Sequence, residues 1–244
     1  MRLLLLSSAA VVLLSAAGAA WWMSPGEDLA AWRQGPPPHP WAALQRQEAR
    51  WRQERVHRHV ENRYVPLPAI STDLQLALLV GEDINYFGHG PVDFDAVWEA
   101  IREGARPGGR FRGASTISQQ LAKTLFLSSE RSLWRKAKEA RLAWWMERRL
   151  GKRRILELYL NVVEFGPGLL GVEAAARHYY GVPAEEVGPD RAAGLAAAIP
   201  APGRDNPATD TARWRFRQAT ILRRMAHAHW LRDQLTSLGA RPRN

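Results

Sequence analysis

The sequence predicts an all-α globular domain over residues 62–244, behind an apolar N-terminal segment. Three observations predict it. Ile155, Leu158, Tyr159 and Val162 fall at i, i+3, i+4 and i+7, the spacing of one helix face. Thr72 with Gln75, and Thr116 with Gln119, stand at the spacing of a capping box that opens a helix. No alternating apolar–polar run of useful length and no internal repeat is present, so no strand is predicted.

The first element is the N-terminal segment. Leu3 to Trp22 is uncharged, follows Arg2, and closes on Trp21-Trp22. About twenty apolar residues span the ~30 Å hydrocarbon layer, and a Trp pair suits the membrane interface. Ser15-Ala-Ala-Gly-Ala-Ala20 also offers small-residue cleavage sites, which is the competing reading of a signal peptide. Length and the Trp pair favour a retained single transmembrane helix over residues 1–23, with Arg2 on the cytoplasmic side. Either reading exports the remainder.

Residues 24–61 read as a linker and a membrane-proximal helix. Gly35-Pro-Pro-Pro38 and Pro40 exclude helix there, while Trp41 to Val60 has helical composition. Further helices are predicted from Ser71-Thr72 to Val80, stopping at Gly81, and from Asp93 to Glu103. A Gly/Arg/Pro loop over 104–113 follows. Helices are then expected from Thr116 to Leu127, from Ser132 to Leu150 with Gly151 ending it, and from Arg153 to Val163. Val172 to Tyr180, Asp190 to Ile199 and Asp210 to about His229 complete the set.

Charge narrows the function. The net charge is +10, and Arg102 to Arg154 holds fifteen Lys/Arg against four acids, which accounts for the whole excess. Nucleic acid, anionic lipid or a phosphorylated substrate would each answer such a field. An exported, membrane-tethered chain favours the last two over nucleic acid. Many of these residues are also simply the solvated faces of basic helices. The chain has no cysteine, which excludes disulfides and Cys-ligated zinc.

Three clusters could carry chemistry. Glu82-Asp83 follows an apolar helix beside Tyr86, Phe87 and His89. It is either an ordinary solvated acidic pair or a general base whose pKa burial would raise. Ser115 and Thr116 stand at a helix start, and Gln119 and Gln120 precede Lys123 by about a turn. Capping explains the hydroxyls, but not two consecutive Gln with a Lys on the Gln120 face. Hydroxyls at a helix N-terminus with a nearby ammonium can hold an anion. Arg131, Arg135, Lys136 and Glu139 are either surface ion pairs or a second carboxylate held among cations. The Gly166, Gly168 and Gly171 run lacks the preceding strand of a phosphate-binding loop and reads as a turn between packed helices.

Together these segments resemble the peptidoglycan glycosyltransferase family, the monofunctional transglycosylases and the N-terminal domains of bifunctional penicillin-binding proteins. The resemblance covers about residues 66–207 in five ordered blocks. They are Glu82-Asp-Ile-Asn-Tyr-Phe-Gly-His89 with Asp93; Arg112-Gly-Ala-Ser-Thr-Ile-Ser-Gln-Gln-Leu-Ala-Lys123; Arg131-Ser-Leu-Trp-Arg-Lys136 with Glu139; Ile155 to Asn161 with Gly166, Gly171 and Ala174 to Ala176; and Ala192 to Pro200 with Pro202 and Pro207. Tyr86, Pro91, Thr124, Leu170 and Arg191 depart from the family's usual residues, and none of them is a proposed catalytic group.

The resemblance implies a lysozyme-like glycosyltransferase domain and roles at the matching positions. Glu82 would be the base that deprotonates the acceptor GlcNAc 4-hydroxyl, and Glu139 the second essential carboxylate. Lys123 and Arg131 would grip the donor diphosphate, with Ser115, Thr116, Gln119, Gln120, Lys136 and Asn161 in the substrate site. It implies lipid II and the growing glycan as substrates, the membrane and cell wall synthesis proteins as partners, and no nucleic acid. The expected location is the inner membrane, single-pass, with the catalytic domain outside the cytoplasm. No tightly bound cofactor or protein metal site is expected, at most Mg or Mn on the diphosphate. No transpeptidase signature follows, so a monofunctional enzyme is expected. A lysozyme-like lytic transglycosylase and a non-catalytic membrane-anchored scaffold are the alternatives.

Overall fold

A computed structural model describes residues 18, 21–23, 27–38, 41–53, 60–106, 114–128, 130 and 132–239. The remaining residues include Arg131, the 107–113 loop and most of the predicted anchor, so those expectations fall outside the described residues. Among the described residues no helix is long and apolar enough to cross a membrane.

Nine helices are described: α1 (Ala42–Gln53), α2 (Thr72–Glu82), α3 (Phe94–Gly104), α4 (Ile117–Phe126), α5 (Leu133–Val162), α6 (Val172–Tyr180), α7 (Pro189–Ala198), α8 (Ala212–His227) and α9 (His229–Gly239). Helix α2 is the centre of the fold. Leu74 to Val80 are all buried, so it is enclosed on every side rather than on one stripe. Helices α7, α8 and α9 pack around it. The small residues of α7 make close approach possible, and the Trp214 indole donates to the Gly194 carbonyl at 2.8 Å.

Most predicted helices are present, and their ends have readable causes. Thr116 and Gln119 form the expected capping box at the start of α4. At α2 the cap differs. Ser71 accepts from the Leu74 amide, and Gln75 turns inward to the Leu67 and Ile70 carbonyls. Helix α2 also runs past Gly81 and ends at Glu82, with Asp83 as its C-cap. The two predicted helices on either side of Gly151 follow one another directly. Gly151 sits at φ 76° and ψ 160°, a break that its lack of a Cβ permits.

Two features were not expected. A small sheet places β3 (Leu169–Leu170) between β1 (Glu61–Asn62) and β2 (Glu164–Gly166), parallel to β1 and antiparallel to β2. Strands of two or three residues carry no alternating pattern, so the sequence gives no sign of them. Gly168 turns the β2–β3 hairpin at φ 79°, and a Cβ there would strike the Trp51 ring at 2.2 Å. The second feature is α9. It buries Leu231 and Leu235, and Arg232 holds Asp73 of α2 at 2.6 Å.

The N-terminal Trp pair lies against α5. Trp21 stacks on Trp134 at 4.9 Å, and Trp145 donates to the Trp22 carbonyl at 2.9 Å.

Candidate active site

Glu82 is the last residue of α2, and its side chain is only 12% exposed. Both carboxylate oxygens have partners. The Arg217 Nη2 donates to Oε1 at 2.7 Å, and the Gln120 amide donates to Oε2 at 3.1 Å. Burial pushes the Glu82 pKa above the usual carboxylate range. The Arg217 charge and the Gln120 hydrogen bond pull it back down.

The orientation of Gln120 is fixed from behind. Its Oε1 accepts from the Tyr159 hydroxyl at 3.0 Å, so its NH2 group must face Glu82. Tyr159 is fully buried, and desolvation and the Glu82 charge raise its pKa well above 10. It therefore remains a neutral donor. The same Gln120 Nε2 lies 3.4 Å from the Ser115 carbonyl.

Asp83 faces away from this arrangement. One oxygen pairs with His89 Nε2 at 2.7 Å, and the other accepts the Ile117 amide at 3.0 Å. The N-terminus of α4 thus holds an anion, as a helix start can, but that anion is the chain's own carboxylate. Thr116 and Gln119 are buried in the capping box, and the Thr116 hydroxyl donates to the Pro91 carbonyl at 2.7 Å.

Glu139 is buried nearly two turns inside α5. Arg135 and Lys136 each donate to one of its oxygens. The Lys136 ammonium also reaches the Ser115 hydroxyl at 2.7 Å. Glu82, Gln120, Ser115, Lys136 and Glu139 are therefore consecutive members of one polar chain.

One cavity is lined by Glu82 and two others by its hydrogen-bond partners Gln120 and Arg217. Glu82, Asp83, Asn85, Asp93, Ser115 and Thr116 line one of about 270 Å³. Gln120, Lys123, Thr124, Tyr159, Glu164 and Arg46 line another of about 290 Å³. Glu82 lines the first and Gln120 the second, and these two side chains are hydrogen-bonded to each other. Lys123 is exposed and projects one turn beyond Gln120. Gly81, Arg213, Arg217 and Arg224 belong to a third, of about 250 Å³.

Asn161 stands apart from these cavities. It is fully buried, and its amide pairs with both the N–H and the C=O of Val65, at 2.8 and 2.9 Å, as a neighbouring strand would. It fastens the segment that leads into α2.

The structure joins Glu82, Gln120, Ser115, Lys136 and Glu139 in this chain of contacts, and it adds Arg217 of α8, which the sequence reading did not single out. A signal was available: Arg217 lies three residues after Trp214 and four before Ile221, on the stripe that α8 buries. A charge there needs a buried partner. Tyr159 was counted only as a core residue.

Among the described residues no group of three or more His, Cys, Asp or Glu is arranged to hold an ion. Glu82 and Glu139 already accept from cations, and Asp83 from His89 and an amide.

Comparison with known proteins converges on one group. A family model described as Transglycosylase matches residues 49–226. A protein of Nitrosospira multiformis named biosynthetic peptidoglycan transglycosylase is 44% identical over 151 residues, 62% of this chain and 66% of that protein. A protein of the same name from Bordetella pertussis is 44% identical over 189 residues, 75% of this chain and 78% of its own. One from Rhodospirillum centenum, also of that name, is 47% identical over 167 residues, 68% and 72%.

Proposed function

Since the chain belongs to the transglycosylase family, we propose that it is a peptidoglycan glycosyltransferase that lengthens glycan strands from lipid II at the outer face of the cytoplasmic membrane. The observation that carries this reading is the Glu82 carboxylate. It is buried, raised in pKa and held by Arg217 and Gln120; it lines one cavity, and its partner Gln120 lines the one that holds Lys123.

Glu82 removes the proton from the acceptor 4-hydroxyl as that oxygen attacks C1 of the donor MurNAc. The C1–O bond to the diphosphate breaks, and undecaprenyl diphosphate leaves with the electron pair. Attack opposite the leaving group turns an α-linked donor into a β-1,4 product. The diphosphate leaves well once cations neutralise it, so the site needs one base and an electrostatic clamp. Lys123 is the described cation for that clamp, and Lys136 beside Glu139 and Ser115 extends the positive wall. A divalent ion, where one takes part, would be carried by the diphosphate, because the protein's carboxylates are committed to its own donors. A lytic enzyme has no diphosphate to hold, and no observation favours that reading over polymerisation.

The surface supports a lipid partner. Phe94, Trp98 and Ile101 fall at i, i+4 and i+7 on α3 and are all exposed, as are Leu133 and Trp134 at the start of α5. Along α5, Lys138 lies over Trp134, Arg148 over Trp144 and Arg149 over Trp145 at 4.7–5.5 Å. Aromatic rings beside cations match the apolar-to-phosphate boundary of an anionic bilayer.

The test is incubation of the detergent-solubilised protein with fluorescent lipid II, with products separated by chain length. A ladder of longer glycans is expected. Unchanged lipid II, or activity only in shortening preformed glycan, would overturn the reading.

A further inference from the structure

We propose that Arg217 is a positioning residue for the reaction: it holds one oxygen of Glu82 in place and leaves the carboxylate ionised and aimed at the acceptor hydroxyl. The proposal rests on the reading of Glu82 as the base.

The geometry is specific. Arg217 Nη2 reaches Glu82 Oε1 at 2.7 Å and the Gly81 carbonyl at 3.1 Å, so the guanidinium grips the last turn of α2 at two points. Gly81 makes this approach possible. A Cβ at Gly81 would lie 3.2 Å from the Ile221 Cδ1 and 3.6 Å from the Ala196 Cβ. Helix α8 therefore comes close to α2 one residue before the base, and Arg217 stands one turn from Ile221 on the same face.

The other groups around Glu82 cannot do this work. Gln120 of α4 is neutral. Tyr159 of α5 is a buried neutral hydroxyl that touches Gln120 instead. Asp83, on the end of α2 itself, carries the same sign as Glu82 and is engaged by His89 and the Ile117 amide. Helix α7 meets the end of α2 with alanine. The Arg232 guanidinium of α9 holds Asp73 at the opposite end of α2. Arg217 is thus the cation bonded to Glu82 among the described residues. A carboxylate so enclosed, without its cation, favours the protonated form, which cannot accept a proton. Arg217 works through Glu82 and is not itself placed against the reacting atoms.

The experiment uses the full chain in detergent and follows initial rates of fluorescent lipid II consumption against pH, for wild type, Arg217→Ala, Arg217→Lys and Glu82→Gln. With Arg217→Ala, kcat is expected to fall about 100-fold near neutral pH, with KM changed much less. The acid limb of the kcat profile should move to higher pH. Arg217→Lys keeps the charge but loses the planar guanidinium that spans Glu82 and the Gly81 carbonyl, so its limb should lie between the two. An acid limb left in place in both Arg217 variants, or an equal loss at every pH without rescue by Lys, would overturn the proposal. Arg217→Lys carries the test if Arg217→Ala melts early. Glu82→Gln separates the two levels. If it polymerises like wild type, the reading of Glu82 as base fails. If it is inactive while the Arg217 limbs stay in place, only the role of Arg217 fails.

Discussion

The Gln120 amide donates to Glu82 Oε2 at 3.1 Å while its own oxygen accepts from the Tyr159 hydroxyl at 3.0 Å. A buried phenol on α5 thus decides which end of a carboxamide on α4 faces the carboxylate that closes α2. Three helices distant in sequence cooperate to present one oxygen pair.

Replacing Glu82 with Gln removes the proposed base and leaves the shape. Lipid II consumption should drop about 10²–10⁴-fold. An unaltered rate would show that proton removal lies elsewhere.

The pH profile follows from the burial of Glu82. As the proposed base Glu82 would act ionised, and desolvation raises its pKa above the ordinary carboxylate value. Activity should therefore fall as pH drops through a value higher than that of an exposed glutamate. A kcat profile whose acid limb sits at or below the value of an exposed glutamate would contradict this.

Tyr159→Phe removes the hydroxyl that orients Gln120. Losing a buried hydrogen bond of this kind costs about 1 kcal/mol, or roughly fivefold in rate if it is all expressed at the base. In a Gln120→Ala background the same change should do almost nothing. A double-mutant cycle on kcat measures the coupling, and additive effects would separate the two residues.

Lys123 and Asn161 should part ways in a paired experiment. Lys123→Ala should raise the KM for lipid II about 10–100-fold, the value of a charge-assisted phosphate contact. Its melting temperature should barely change, because Lys123 is exposed. Asn161→Ala strands both polar groups of Val65 in the interior. It should destabilise by at least about 2 kcal/mol, read as a melting temperature roughly 5 °C lower. The reverse pattern would place Asn161 on the substrate.

Asp83→Ala removes partners from His89 and the first amide of α4 at once. A loss of about 1–3 kcal/mol in unfolding free energy is expected in chemical denaturation. Activity should fall with it, because α4 carries Gln120 and Lys123. Full stability in this variant would mean that the α4 terminus finds another anion.

Periodicity and capping chemistry alone determined most of this molecule: the helices, the α4 capping box and the break at Gly151 are local consequences of 3.6-residue spacing, side-chain caps and a missing Cβ. Motif order also singled out Glu82, Gln120, Lys136 and Glu139 as candidates, because each lies in a short block that the chain carries in the family's order. The tertiary structure alone decided which of those groups meet. Asp83 and Glu82 are adjacent in sequence, yet one staples α4 and the other faces Arg217, because a helix end points successive side chains in different directions. The Arg217 contact spans 135 residues and depends on a glycine that lets α8 approach α2. Asn161 reads as polar and available in sequence, and only the fold shows its amide spent on Val65. Local propensities act over a few residues, whereas the partner of a buried charge is chosen by packing between distant elements, which no single stretch of sequence contains.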